Sequence, residues 1–231
     1  MPLTTDQKKI FAEINAKIKL STAKLSDEYY YDSLPQCLID AIFSIGTKYA
    51  STRKTVIRAC DKLKRKRLDP LTHCQSDSYT IDEFIKDISK YSDYGMIDVY
   101  VNRQWTSSRS GIRKAEAVYK LADILKKHKV NTLKDIRSLS STRLDDLEKE
   151  FISVKGQGSG ISFSYFLMLS GDENHIKADR WILRFLKDVT GKKYAKTDAE
   201  KDLRDVCVEL NKTYPTLTPR LLDHEIWKYM R

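Results

Sequence analysis

Cysteine is scarce. The 231 residues hold four, Cys37, Cys60, Cys74 and Cys207, and none forms a CxxC pair with another. Without a cluster there is no zinc or iron–sulfur ligand set to read, so free thiols in a reducing compartment are expected. Cys37, Cys60 and Cys207 fall in apolar-periodic stretches, where a small buried side chain is the expected role. Long apolar runs are also missing. None approaches the ~20 residues of a membrane span, so no membrane partner is expected. Met1-Pro2-Leu3-Thr4-Thr5-Asp6 leads straight into an amphipathic helix and carries no secretory signal. A soluble intracellular protein, in cytoplasm, nucleoid or nucleus, is the expectation. There is no internal repeat and no low-complexity linker.

What the chain does have is charge and helical periodicity. Lysine and arginine outnumber aspartate and glutamate by 42 to 32, a formal net charge of +10, with a sequence pI near 9.3. A basic balance of this size suits a polyanionic partner or a lysine-rich surface. The apolar fraction of 41% is enough for a core. Ile10, Phe11, Ile14 and Ile18 mark one face of a first helix. Pro35 fits the first turn of a second, strongly apolar helix containing Leu38, Ile39, Ile42 and Phe43. Ser51 or Thr52 is expected to cap a third, ending in the basic run 62–67. Thr80–Glu83 and Thr197–Glu200 read as capping boxes. Met96–Val101 alternates weakly, as a short strand or an irregular connection. About ten helices with short connections predict an all-α fold.

The informative stretch is 142–182. A helix ending at Phe151 is followed by Val154-Lys155-Gly156-Gln157-Gly158-Ser159-Gly160, then by Ile161–Leu169, apolar nearly all round. Glycines at alternate positions let the backbone turn tightly and expose its amides at the start of the next helix. Unsatisfied N–H groups and the helix dipole attract an anion there. In a basic protein a DNA phosphate is the natural one, with Lys155 adding charge. A plain helix–helix turn is the bland alternative.

This turn resembles the helix–hairpin–helix of the endonuclease III-like (HhH-GPD) DNA glycosylase superfamily, whose pattern reads Leu-Pro-Gly-Val-Gly-x-Lys-Thr-Ala. The family then has a buried helix commonly ending at glycine, here Ile161–Ser170 and Gly171. Its essential aspartate follows at the start of the next helix; here the segment is Lys177-Ala178-Asp179-Arg180-Trp181-Ile182. Asp179 follows Gly160 by 19 positions. Leu38–Thr47, Gly111–His128 with Lys114-Ala115, and Leu222–Tyr229 resemble other family helices in order, so the resemblance covers about 34–231. There are departures. Arg180-Trp181 replace the Thr-His after the aspartate, Lys155 replaces the hairpin proline, and the four-cysteine iron–sulfur loop is missing. Gly160 stands where bifunctional members carry a catalytic lysine.

The resemblance implies a two-lobed helix–hairpin–helix DNA glycosylase fold. One lobe would span 34–160; the other would combine 1–33 with 161–231, and double-stranded DNA would bind across the cleft. It implies a monomer, no organic cofactor and no iron–sulfur cluster, with a monovalent cation held by hairpin carbonyls as in several relatives. Asp179 is the implied catalytic carboxylate; as a plain reading it is a helix N-cap, and one residue can do both. Lys155, Gly156, Gln157, Gly158, Ser159 and Gly160 are the implied DNA-binding residues, with Arg103 and Arg109 from the loop that also carries Trp105. By resemblance the base pocket lies near Ser44, Thr47 and Lys48, with Tyr165, Phe163 and Trp181 as aromatics that stack a base or fill the core. With Gly160 in place of lysine, Schiff-base chemistry has no amine there, and the expected activity is monofunctional excision that leaves an abasic site. Two other readings fit: a non-catalytic helix–hairpin–helix DNA-binding module, and a helical adaptor with a chance glycine-rich turn.

Overall fold

The structure is a computed structural model, and it describes residues 2–65 and 79–231. Cys74 and the end of the basic run, Lys66-Arg67, lie outside the described residues. Eleven α-helices are found among the described residues: α1 (Thr5–Lys17), α2 (Leu34–Ser44), α3 (Tyr49–Lys62), α4 (Ile81–Ile88), α5 (Lys114–Lys127), α6 (Leu133–Arg137), α7 (Ser141–Ser153), α8 (Ile161–Leu169), α9 (Arg180–Thr190), α10 (Lys196–Asn211) and α11 (Pro219–Tyr229). The only extended pairing among them is an isolated antiparallel bridge between Trp105 and Arg113. The fold class is all-α. No described helix is long and apolar enough to cross a membrane.

The chain divides into two compact units, 27–171 and 1–26 with 172–231. In the first, α2 is the central element: ten of its eleven residues are buried, and it packs against α3, α5 and α8. Such a helix has no polar face to give to water and must be covered on all sides. Helix α8 follows the same rule, with Phe163 and Phe166 packed on Phe151 of α7. Those contacts put α8 with the unit that precedes it. The expected lobe boundary at Gly160 therefore falls inside this unit, which closes at Gly171.

In the second unit α1 packs against α9 and α10, and α11 against α9 and α10. Ile10 and Ile14 lie buried in it with Phe185, Leu203, Leu222 and Ile226. Gln7, itself buried, donates to Asp202 and Asp205 of α10 at 2.8 and 2.9 Å, tying the ends of the chain together.

Several local expectations change in the folded chain. The Thr80–Glu83 capping box forms as read, but the one at Thr197 does not. Helix α10 starts at Lys196, because Ala199 N–H already donates to the Ala195 carbonyl (3.0 Å) and draws Thr197 into the first turn. Helix α3 starts at Tyr49, ahead of Ser51 and Thr52; Thr52 hydroxyl instead donates to the Phe43 carbonyl at 3.2 Å. Met96–Val101 is no strand. Val99 and Tyr100 N–H both donate to the Gly95 carbonyl (2.8 and 3.0 Å), a tight fold that drives Val99 and Tyr100 into the core beside Phe43.

Candidate functional site

The turn between α7 and α8 is built by its glycines. Gly156 (φ +87°) and Gly160 (φ +73°) take left-handed backbone that L side chains rarely adopt. Gln157 N–H donates to the Val154 carbonyl and Gly160 N–H to the Gln157 carbonyl, each at 2.9 Å. Gln157 is buried and accepts the Ser162 hydroxyl at 2.5 Å, which pins the turn to α8. Lys155, Gly158 and Ser159 remain exposed. The turn leads into the N-terminus of a nine-residue helix, where the dipole favours an anion, and Ile161 N–H there donates to Ser159 Oγ at 3.4 Å. One group opposes it: a Glu148 carboxylate oxygen lies 3.7 Å from where a Cβ on Gly160 would sit. The carbonyls of Val154, Lys155 and Gln157 each accept one hydrogen bond.

A second segment is fastened to this turn. Residues 103–113 form a strap closed by Thr106 N–H to the Ile112 carbonyl and Lys114 N–H to the Gln104 carbonyl, both 2.9 Å. Thr106 hydroxyl donates to the Lys155 carbonyl at 2.9 Å. A Cβ on Gly156 would come within 2.3 Å of that hydroxyl oxygen. The glycine is needed both for its φ and for this approach. The strap carries exposed Arg103 and Arg109, so these two and the hairpin belong to one bonded assembly. At the far end of the strap Lys114, only 2% exposed, donates from Nζ to the carbonyls of Phe43 (3.0 Å) and Ile45 (2.7 Å) at the C-terminus of α2. Burial brings its pKa down to about 8.

Asp179 lies in the other unit, at the N-cap of α9. Its Oδ1 accepts the N–H groups of Trp181 (2.8 Å) and Ile182 (3.4 Å). Its Oδ2 is 3.8 Å from the Lys177 ammonium. The segment that presents it is held from α10 and α11. Arg204 Nε donates to the Asn174 carbonyl at 3.1 Å. Glu173 accepts from the buried Arg220 guanidinium (2.7 Å) and from Thr218 hydroxyl (2.8 Å). Lys177 N–H donates to Asp223 Oδ1 at 3.0 Å. Asp223 is 4% exposed, and burial pushes its carboxyl up to about 7 against the pull of Lys177. A fixed carboxylate beside an ammonium and a buried acid can stabilise positive charge or orient a water. The surface groove of about 590 Å³ in this unit, lined by Lys9, Glu13, Phe185 and Tyr229 among others, does not include Asp179.

A family model described as Domain of unknown function (DUF8548) matches residues 8–231. The chain belongs to the DUF8548 family. No curated protein and no solved structure matches it.

Both the hairpin and Asp179 fall within the DUF8548 match. So do the residues expected around a base pocket, which the fold distributes unevenly. Ser44 hydroxyl donates to the Ala41 carbonyl and Thr47 hydroxyl to the Phe43 carbonyl, so both finish α2. Lys48 is exposed at the N-cap of α3. Tyr165 and Phe163 are buried in the core of their unit. Trp181 is half-buried, with the Arg180 guanidinium 5.0 Å from its ring centroid. Tyr31, Asp40 and Tyr49, none of them singled out in the sequence, form a polar cluster with Tyr165 in the 27–171 unit. Tyr31 hydroxyl donates to Asp40 Oδ2 at 2.6 Å, both groups buried, and Tyr49 and Tyr165 add to the forces holding the Tyr31 phenol above its ordinary range, after burial itself. Two local features could have signalled it: the tyrosine run 29–31 and Asp40 on an otherwise apolar helix. Among the described residues, no group of three or more His, Cys, Asp or Glu side chains is arranged to hold a metal ion.

Proposed function

We propose that this chain is a monofunctional DNA glycosylase. It binds duplex DNA through the 154–160 turn, takes the target nucleotide out of the stack, and hydrolyses its N-glycosidic bond. The observation that carries the reading is Asp179, a carboxylate fixed by two backbone N–H groups at the head of α9, 19 positions along the chain from Gly160. In the reaction the C1′–N bond breaks, positive charge builds on the sugar, and Asp179 stabilises that charge and orients the water that attacks C1′. The water oxygen bonds to C1′, its proton passes to the carboxylate, and the base leaves with the C1′–N electron pair and is protonated from solvent. Gly160 supplies no amine for a Schiff base, so the product is an intact abasic site. The substrate is a damaged or modified base in double-stranded DNA.

A second reading, a non-catalytic DNA-binding module, is favoured by one observation: Asp179 Oδ1 is engaged in capping and Oδ2 faces Lys177, which accounts for the residue by stability alone. Incubation with a panel of duplexes carrying oxidised, alkylated, deaminated and otherwise modified bases separates the two. Base release that needs alkali for strand scission, and that is lost in Asp179→Asn, supports the glycosylase. Hairpin-dependent binding with no release across the panel supports the module.

A further inference from the structure

Large apolar side chains left in water are few among the described residues, and four of the six, Tyr94, Ile97, Val101 and Trp105, fall within one stretch of chain. Val101 is 57% exposed and also sits at φ +49°, a conformation that a β-branched residue adopts only under strain. Trp105 is 53% exposed, yet it is not loose. The Arg113 guanidinium stacks 4.1 Å from its ring centroid, and Arg113 in turn donates to the Arg103 carbonyl. The bridge between Trp105 and Arg113, with the two strap hydrogen bonds, fixes the indole's backbone. Thr106, the next residue, is bonded to the Lys155 carbonyl. The indole is thus set at a constant position relative to the anion-favouring turn. Residues 99–113 contain Arg103, Arg109 and Arg113 and no acidic residue; Arg58 reaches the Val101 carbonyl from α3.

We infer that the strap is a stacking platform for one unpaired nucleobase, with Trp105 as its face and Arg113 as its backing. The inference rests on the reading of the hairpin as a DNA phosphate site, and it holds with or without base excision. The charge around the platform complements a polyanion. A backed, pre-ordered indole loses little freedom on binding, and an aromatic face accepts any base with little regard to sequence. In an intact duplex each base already has both faces covered by its neighbours. The platform therefore favours DNA in which one base, freed of its pairing partner, can leave the stack and offer a face.

Fluorescence anisotropy with a labelled duplex, fully paired or carrying one unpaired adenine, tests this without any catalytic step. The wild-type chain is expected to bind the bulged duplex about tenfold tighter than the paired one. Trp105→Ala removes that preference and leaves paired-duplex affinity unchanged; Trp105→Phe keeps most of it. Lys155→Glu weakens both duplexes together and lowers the salt dependence. Equal affinity of the wild type for the two duplexes, or an equal loss on both in Trp105→Ala, overturns the platform. If binding depends on Lys155 but not on Trp105, the platform fails and the hairpin reading stands. If neither duplex binds even at low salt, both fail together.

Discussion

Asp223 and His224 are neighbours on α11 whose titrations oppose one another. Burial raises the Asp223 carboxyl from 3.8 to about 7, with Lys177 pulling it down and Asp179 and Glu200 pushing it up. Between those values the folded chain keeps a proton that the unfolded chain has released, so stability falls as pH rises through that window. At 1.36 kcal/mol per pH unit, the full fall is about 4 kcal/mol. Burial, with Lys228, Arg220 and Lys177, lowers His224 from 6.5 to about 4. There the unfolded chain binds the extra proton, and stability rises with pH by about 3 kcal/mol. Where the two windows overlap the slopes nearly cancel. Asp223→Asn keeps an oxygen to accept Lys177 N–H and removes the charge, so it exposes the His224 slope: stability should climb by about 3 kcal/mol from about pH 4 to 6.5. His224→Gln should instead show a decline of about 4 kcal/mol towards pH 7. Urea unfolding at a series of pH values reads this, followed by the fluorescence of Trp227, which stacks on His224 with ring centroids 5.7 Å apart. Replacing Trp105 and Trp181 with phenylalanine leaves Trp227 as the sole indole. Carboxylates held low elsewhere, such as Asp87 and Asp135, contribute a slope common to all variants, so only differences between curves are used. Parallel curves for the parent and Asp223→Asn refute the reasoning.

Other outcomes follow from single contacts. Asp179→Asn should abolish base release with little change in urea midpoint, because an amide oxygen still caps α9, whereas Asp179→Ala should lose about 1 kcal/mol of stability as well. In the hairpin, Gly156→Ala should cost at least about 2 kcal/mol, from its left-handed backbone and the clash with Thr106. Gly160→Ala should cost about 1 kcal/mol by backbone alone, and Gly158→Ala, with 3.8 Å of room and no positive φ, should stay within about 0.5 kcal/mol; equal losses at the three sites would contradict this ranking. Lys114→Met leaves the Phe43 and Ile45 carbonyls without the ammonium and should destabilise the chain by about 2 to 4 kcal/mol near neutral pH. In the parent, the unfolded chain binds the Lys114 proton more tightly between about 8 and 10.5, so stability should gain a rising component with pH there that Lys114→Met lacks.

Much of this was legible locally. The capping box at Thr80, the Asp179 cap and the buried runs of α2 and α8 are each set by a few adjacent residues. The same holds for Gly156 and Gly160, whose spacing already announced a tight turn. These features depend on hydrogen bonds and side-chain periods within one or two turns of chain, and the chain itself specifies them. Other features came from contacts between distant segments. Thr197 reads as a cap by residue type, but the start of α10 is set elsewhere in its first turn. Lys114 reads as an ordinary helical lysine until the C-terminus of α2 supplies two carbonyls. The strap 103–113 was illegible because its order depends on Thr106 meeting Lys155, far along the chain. The sequence by itself determined an all-helical, basic chain with a glycine-built turn before a buried helix and an aspartate at a helix start. Only the tertiary structure decided that α8 joins the first unit, that Trp105 is held rigid beside the hairpin, and that Asp223 is an acid titrating near neutrality. Burial and its dielectric are properties of packed neighbours, and no short stretch of sequence carries them.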